Sequence, residues 1–63
     1  MDEAAVLALA MLALTELAND MPADALAHAR TAQARAHAEG PGSRREAFAV
    51  LTLARAELAS GDD

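Results

Sequence analysis

The sequence predicts an all-α fold of three helices. Of its 63 residues, nineteen are alanine and nine are leucine, which are strong helix formers, whereas only five are β-branched. Two loop signals divide the chain: Asn19-Asp20-Met21 before Pro22, and Gly40-Pro41-Gly42. We therefore expect helices over about 3–19, 22–39 and 44–59, within a single domain that spans 1–63.

Residues at the helix ends support these boundaries. Pro22 suits the first turn of helix 2, where its missing N–H is not needed. Gly40 and the two residues after it are a strong stop signal for that helix. Ser43-Arg44-Arg45-Glu46 matches a capping box that opens helix 3. Gly61 can take the left-handed conformation that closes helix 3.

Helices 1 and 3 each carry a wide apolar arc. On a helical wheel, the arc of helix 1 contains Leu9, Ala13, Val6, Leu17, Ala10, Leu14, Leu7, Ala18 and Met11. The arc of helix 3 contains Val50, Ala54, Ala47, Leu58, Leu51 and Phe48. Leu12 and Leu53 lie outside these arcs. A helix as apolar as helix 1 must be covered from more than one direction.

Helix 2 has a single large apolar residue, Leu26, and two stripes of alanine. The first stripe, which we predict to be the helix-packing set, is Ala25, Ala29, Ala32 and Ala36. The second stripe is Ala23, Ala27, Ala34 and Ala38. Because small side chains permit close approach, we expect helix 2 to pack against one neighbour on each side. Alternatively, alanine fills an exposed helix because its helix propensity is the highest.

An offset of 41 residues relates helix 1 to helix 3. It aligns Glu16-Leu17-Ala18 with Glu57-Leu58-Ala59, and it pairs Ala8 with Ala49, Leu12 with Leu53, and Ala13 with Ala54. Self-similarity at a fixed period is typical of helical repeats. The chain resembles the tetratricopeptide repeat (TPR) family in its long-period bacterial form. The resemblance is carried by Leu12-Ala13 and Leu53-Ala54, by Ala25 and Ala32, and by the turn Ser60-Gly61-Asp62.

The resemblance implies a TPR-like helical hairpin plus one further helix, about one and a half repeats. Because repeat units bury their faces against neighbours, we expect open apolar surface and self-association, most simply as a homodimer. The expected interface residues lie on helices 1 and 3: Leu7, Leu9, Leu14, Leu17, Phe48 and Leu51. The alternatives are a closed monomeric three-helix bundle and a piece of a larger array.

Charge and composition exclude several classes of partner. Ten acidic residues and five arginines give a net charge of −5, and 2% of the residues are aromatic. Nucleic-acid binding needs a basic footprint, and single-stranded targets need aromatic platforms. Anionic membranes repel an acidic chain, and no uncharged apolar run approaches the roughly 20 residues of a spanning helix. We expect a cytoplasmic protein that binds neither nucleic acid nor membrane.

No catalytic, cofactor or metal site is recognisable. The chain has no cysteine, and Ser43 and Ser60 lie at helix ends, where capping explains them. His28 and His37 are nine residues apart, so they face opposite sides of helix 2 and cannot hold one ion within a monomer. A metal site between subunits is the alternative. Solvated helix faces are the simplest interpretation of both histidines and of the equivalent carboxylates Glu16 and Glu57.

Arg44 and Arg45 are the candidate anion contact. They stand at the N-terminus of helix 3, the end of the helix dipole that disfavours cations. Alternatively, they balance Glu46 and keep the chain soluble.

These features predict a non-enzymatic protein–protein interaction module. It is expected to self-associate, or to bind a partner helix, through the leucine-rich faces of helices 1 and 3. A docking or scaffold bundle of a multi-enzyme or regulatory assembly is an alternative, and it would have a dedicated partner sequence instead of a groove. A designed helical bundle is a further alternative, because simple alternation of alanine is typical of such sequences.

Overall fold

Three α-helices joined by two short loops form the protein. The computed structural model describes residues 3–61, apart from the side chain of Glu3. Helix α1 spans Glu3–Ala18, α2 spans Pro22–Glu39 and α3 spans Arg44–Ser60. The all-α prediction is confirmed, and the helix boundaries differ from the predicted ones by no more than a residue.

Helix α1 ends in a left-handed turn at a residue that is not glycine. Asp20 has a φ of 60°, a conformation that costs energy for most side chains, although aspartate tolerates it better than most. The Asp20 N–H donates to the Leu17 carbonyl at 3.1 Å, and the Met21 N–H donates to the Glu16 carbonyl at 2.8 Å. The two hydrogen bonds form a Schellman motif, which satisfies carbonyl groups at the end of α1.

Helix α3 begins with the capping interaction that the sequence predicts. The Ser43 hydroxyl accepts a hydrogen bond from the Glu46 N–H at 3.1 Å, so Ser43 is the N-cap. The Glu46 carboxylate reaches back to the Gly42 N–H at 2.7 Å. In a standard capping box the carboxylate bonds to the N–H of the N-cap residue itself, so the reciprocal bond is displaced by one residue.

Glycine residues end α2 and α3. The Gly40 N–H donates to the Ala36 carbonyl at 2.9 Å, and Gly42 then turns the chain with a φ of 78°. Gly61 has a φ of 74°, so the prediction that it closes α3 in the left-handed conformation is confirmed. Asp62, the last residue of the predicted TPR-like turn, lies outside the described residues.

One alanine stripe of α2 contacts both other helices. Its members are at most 2% exposed: Ala25, Ala29, Ala32 and Ala36. Helix α2 packs extensively against both α1 and α3, which contact each other less. The second stripe is exposed: Ala23, Ala27, Ala34 and Ala38. The expectation that α2 packs through one stripe on each side is therefore wrong, because α1 and α3 both lie against the same side of α2.

The core is built from small side chains. Within residues 4–61, eight of the ten buried hydrophobic residues are alanine, and the largest fully buried side chains are Val6 and Thr52. One buried cluster contains Val6, Ala10, Ala32, Ala36 and Ala49. The other contains Ala13, Ala25, Leu26, Ala29 and Ala56. Both clusters draw residues from all three helices, so close approach of the helix backbones supplies most of the packing contacts.

Ala32→Leu is expected to destabilise the protein by about 1–3 kcal/mol, because the larger side chain forces apart helices that are packed across alanine. Ala34→Leu is the matched control, since it adds the same side chain to the exposed stripe of α2. We expect the control to change the free energy of unfolding by no more than about 0.5 kcal/mol. Urea unfolding followed by far-UV circular dichroism measures both variants. Equal stability of the two would contradict the close packing of this stripe.

Asp20→Gly is expected to stabilise the protein by roughly 0.5–1 kcal/mol. The left-handed conformation costs a residue with a side chain about 1–2 kcal/mol, and the greater freedom of glycine in the unfolded chain offsets part of the gain. Asp24→Gly, in the first turn of α2, is the control and is expected to cost roughly 0.5–1 kcal/mol, because glycine is the poorer helix former and the favourable interaction of the Asp24 carboxylate with the helix dipole is lost. Thermal unfolding measures the difference, and a loss of stability in Asp20→Gly would refute the strain at this turn.

Candidate interaction surface

A histidine–glutamate hydrogen bond joins α2 to each neighbouring helix. His28 Nδ1 lies 2.8 Å from Glu16 Oε1 on α1, and His37 Nδ1 lies 2.7 Å from Glu46 Oε2 on α3. A carboxylate only accepts hydrogen bonds, so the Nδ1–H of each histidine is the donor. The opposite placement of the histidines around α2 therefore directs one of them to each neighbour.

Glu46 joins α3 both to α2 and to the loop that precedes α3. Its Oε1 accepts from the Gly42 N–H at 2.7 Å, and its Oε2 accepts from His37 and, at 3.1 Å, from Gln33 Nε2. The hydrogen bond from the Gly42 backbone, followed by that from His37, holds the pKa of the Glu46 carboxyl below its ordinary value of 4.5. The folded structure therefore favours the ionised carboxylate.

The interpretation of Glu16 as solvated is wrong, whereas His37 is exposed to solvent as that interpretation expects. Glu16 is 9% exposed, and its carboxylate is paired with His28 across two helices. His37 stays largely in contact with solvent, yet it also pairs with a glutamate. Helical spacing within one segment carries no information about such pairs, because their members lie on different helices.

The described residues do not bring together a set of metal-ligating side chains. Between residues 3 and 61, no group of three or more histidine, cysteine, aspartate or glutamate side chains is placed to hold a metal ion. The buried hydroxyl of Thr52 donates to the Phe48 carbonyl of its own helix at 2.9 Å.

The outer face of α3 is apolar and exposed. We define it by five residues: Ala47, Val50, Leu51, Ala54 and Leu58. Leu51 is 53% exposed and Leu58 is 83% exposed. A groove of about 450 Å³ extends along the first half of this face, lined by Gly42, Ser43, Glu46, Ala47, Val50, Leu51 and Ala54. Contiguous apolar side chains in solvent are typical of an interaction surface.

Helix α1 also has an exposed apolar face. Leu7, Met11 and Leu12 are 44%, 61% and 43% exposed, respectively. Smaller exposed residues, Ala4 and Ala8, lie on the same helix. We call Leu7, Met11 and Leu12 the outer face of α1. Leu7 and Met11 are one helical turn apart, so their side chains are neighbours on this face.

The predicted interface residues divide between the surface and the core. Leu7 and Leu51 are exposed, and Leu14 is half-buried. Leu9, Leu17 and Phe48 are partly buried and pack against the two core clusters. The last three side chains therefore contribute to folding within the chain, and the accessible surface falls mainly on the first three.

Val50 and Leu58 belong to the exposed surface, although the predicted interface set omitted them. Both lie in the apolar arc of helix 3, which was the available signal. Leu53, outside that arc, packs against the core. The buried side of α3 consists of small residues: Ala49, Thr52 and Ala56. Residues of this size match the alanine stripe of α2, whereas the larger residues of the arc do not.

The anion contact at Arg44 and Arg45 stays a prediction. Arg44 is exposed and Arg45 is half-buried in the first turn of α3. Both side chains thus lie near the end of α3 that borders the groove, where Glu46 already accepts hydrogen bonds from the loop and from α2.

The 41-residue offset also relates the ends of α1 and α3. Asp20 and Gly61 both take the left-handed conformation, with φ values of 60° and 74°. The Asp20 N–H donates to the Leu17 carbonyl, and the Gly61 N–H donates to the Leu58 carbonyl. Both the donors and the acceptors are 41 residues apart, so the two helices end in the same way.

The same offset pairs buried positions of one helix with exposed positions of the other. Three buried residues of α1, Val6, Ala10 and Ala13, correspond to three exposed residues of α3, Ala47, Leu51 and Ala54. Three buried residues of α3, Ala49, Thr52 and Ala56, correspond to three exposed residues of α1, Ala8, Met11 and Thr15. Helices α1 and α3 therefore turn opposite sides of the shared pattern toward α2.

Leu12 and Leu53 follow this rule. They occupy the same register position, but Leu12 is exposed and Leu53 packs against the core. The outer face of α3 is thus the counterpart of the face that α1 buries.

Comparisons with known proteins give no family for this chain. No protein-family model matches it, and neither the curated proteins nor the solved structures contain a match. The chain is a compact three-helix, all-α domain, with a radius of gyration of 10.6 Å. Within the part of the chain that the structure describes, no helix is long and apolar enough to cross a membrane.

The contribution of Glu46 to stability is expected to depend on pH. Because its pKa is lowered on folding, its contribution is complete above the unfolded value of about 4.5 and is lost as the pH falls through the lower folded value. The stability difference between the wild type and Glu46→Gln should therefore be largest above about pH 5 and should shrink in more acidic solution.

Urea unfolding of both proteins between about pH 3 and pH 6 measures this difference. Glu39→Gln, at the exposed end of α2, controls for the change in net charge. A difference between wild type and Glu46→Gln that stays constant over the whole range would contradict the proposed role of the Gly42 and His37 hydrogen bonds.

Proposed function

We propose that this chain is a non-enzymatic protein-interaction module. It is a short TPR-like domain that associates with a second copy of itself, or with another helical protein, through the outer faces of α1 and α3. The driving force is burial of apolar surface, which is worth roughly 25 cal/mol for each Å² removed from water.

The outer face of α3 carries this proposal. Its leucine side chains are larger than almost all of those in the core, yet they are the ones left in solvent. A domain of this size buries only about 60% of the surface of its unfolded chain, so its own core provides a narrow margin of stability. Covering the outer faces adds stability to the folded state by mass action.

Two further features support the TPR-like part of the proposal. Helices α1 and α3 share a C-terminal turn at the 41-residue offset. They also bury complementary sides of one pattern against α2. In a helical repeat each unit buries its faces against the units on both sides. Such packing requires the first and third helices to bury complementary sides of the shared pattern against the helix between them.

Self-association is tested by sedimentation equilibrium at micromolar concentration. We expect a species of twice the 6.5 kDa monomer mass. Leu51→Arg and Leu7→Arg place a charge on the outer faces of α3 and α1, respectively. At least one of them should weaken association by tenfold or more, which corresponds to a loss of roughly 1.4 kcal/mol or more of association free energy. Ala27→Arg adds the same charge to the exposed stripe of α2 and should have little effect.

The outcome also identifies the helix at the interface. Dissociation by Leu51→Arg alone indicates α3, and dissociation by Leu7→Arg alone indicates α1. Circular dichroism must show that each variant keeps its helices. A wild-type protein that remains at 6.5 kDa throughout would refute self-association.

A further inference from the structure

The groove on α3 is lined by the counterparts of α1 residues that α2 covers. Val6, Ala10 and Ala13 of α1 are fully buried and belong to clusters that contain the alanine stripe of α2. Their counterparts 41 residues later are Ala47, Leu51 and Ala54, and all three line the groove. Val50, the counterpart of the partly buried Leu9, lines it as well. Helix α2 supplies most of the residues that cover this face of α1, and Ala49 and Ala56 of α3 complete the two clusters.

We propose that the outer face of α3 binds a partner helix with the pattern of α2. The pattern has small side chains at positions i, i+4, i+7 and i+11, as in the buried stripe of α2, and a hydrogen-bond donor at i+3, the position of His28. The inference rests on the proposed function, because it specifies the occupant of a surface that the function requires to bind something.

The requirement for small side chains follows from the sizes on α3. Where α1 has Ala10 in contact with the stripe, α3 has Leu51, and the other apolar side chains that line the groove are Val50 and two alanines. Two helices approach to about 8 Å only when the contact positions are small on at least one of them. A partner with leucine at its central positions would stand away from the groove and leave voids beside Ala47 and Ala54.

The requirement for a donor follows from Glu57. Glu57 is the counterpart of Glu16, which accepts a hydrogen bond from His28 of the covering helix at 2.8 Å. Glu57 is half-buried and lies next to Leu58 of the outer face. A histidine, lysine or arginine at position i+3 of the partner helix would donate a hydrogen bond to the Glu57 carboxylate. The net charge of −5 further favours a partner helix that carries positive charge.

The probe is a fluorescein-labelled peptide with the sequence of Pro22–Glu39, and it is titrated with the full chain by fluorescence anisotropy. We expect saturable binding. Leu51→Arg in the chain should weaken binding by at least about tenfold, because it places a charge in an apolar contact. Ala27→Arg in the chain, on the exposed stripe of α2, should leave the affinity within about twofold. An affinity that is equal for wild type and Leu51→Arg would mean that the peptide docks elsewhere or replaces α2, and would overturn the proposal.

Two peptide variants test the pattern. Ala32→Leu in the peptide enlarges the inner stripe and should weaken binding by at least about fivefold, whereas Ala34→Leu on the opposite stripe should not. Equal affinities would overturn the requirement for small side chains. Peptide His28→Ala and chain Glu57→Ala should each weaken binding. When the two are combined, the loss of affinity should be about fivefold smaller than the product of the two separate losses, because both substitutions remove the same hydrogen bond. Independent effects would overturn the donor requirement.

The outcome also separates this inference from the proposed function. If the peptide does not bind when the chain is present at about 100 µM, a concentration at which even weak binding is detected, the inference is overturned. If the chain still self-associates and Leu51→Arg still abolishes that association, the interaction module stands and a second copy occupies the face in another geometry. If the chain neither binds the peptide nor self-associates, both proposals fail.

Discussion

The contact between the alanine stripe of α2 and the small residues of α1 and α3 is the constraint on which the rest of the structure depends. Alanine contributes little apolar area, so its contacts become strong only when the helix backbones approach closely. Helix α2 can satisfy two neighbours with one stripe because Ala25, Ala29, Ala32 and Ala36 are small enough to lie between them. Any larger residue on this stripe would separate both neighbours from α2.

Close packing across alanine leaves the large side chains at the periphery. Leu9, Leu17, Leu53 and Phe48 pack at the margins of the two clusters, and Leu51 and Leu58 remain in solvent. Directional hydrogen bonds therefore help to fix the orientation of the helices relative to one another. The pairs His28–Glu16 and His37–Glu46 lie on either flank of the alanine stripe of α2, one with each neighbouring helix. Hydrogen bonds of this kind are sensitive to rotation and sliding, to which a smooth alanine surface offers little resistance.

The proposed function is based on the same constraint. Because α1 and α3 share one pattern but bury opposite sides of it, a face that is covered in one helix is open in the other. The open face of α3 contains the groove and the most exposed leucines. An exposed face of α3 that has the residue pattern of a buried face of α1 is suited to packing against a helix, and this is why we propose an interaction role.

The sequence by itself determined the three helices, their ends and the 41-residue relation, because propensity, Pro22, Ser43, Gly61 and local spacing act within a few residues of one another. It also identified the alanine stripe of α2. Only the tertiary structure decided which side of α3 lies inside: size complementarity to the alanine stripe of α2 selected Ala49, Thr52 and Ala56, and Val50, Leu51 and Leu58 of the apolar arc remain exposed. The histidine–glutamate pairs were likewise decided by how the helices meet, because no spacing along one helix specifies the neighbour that a side chain will contact.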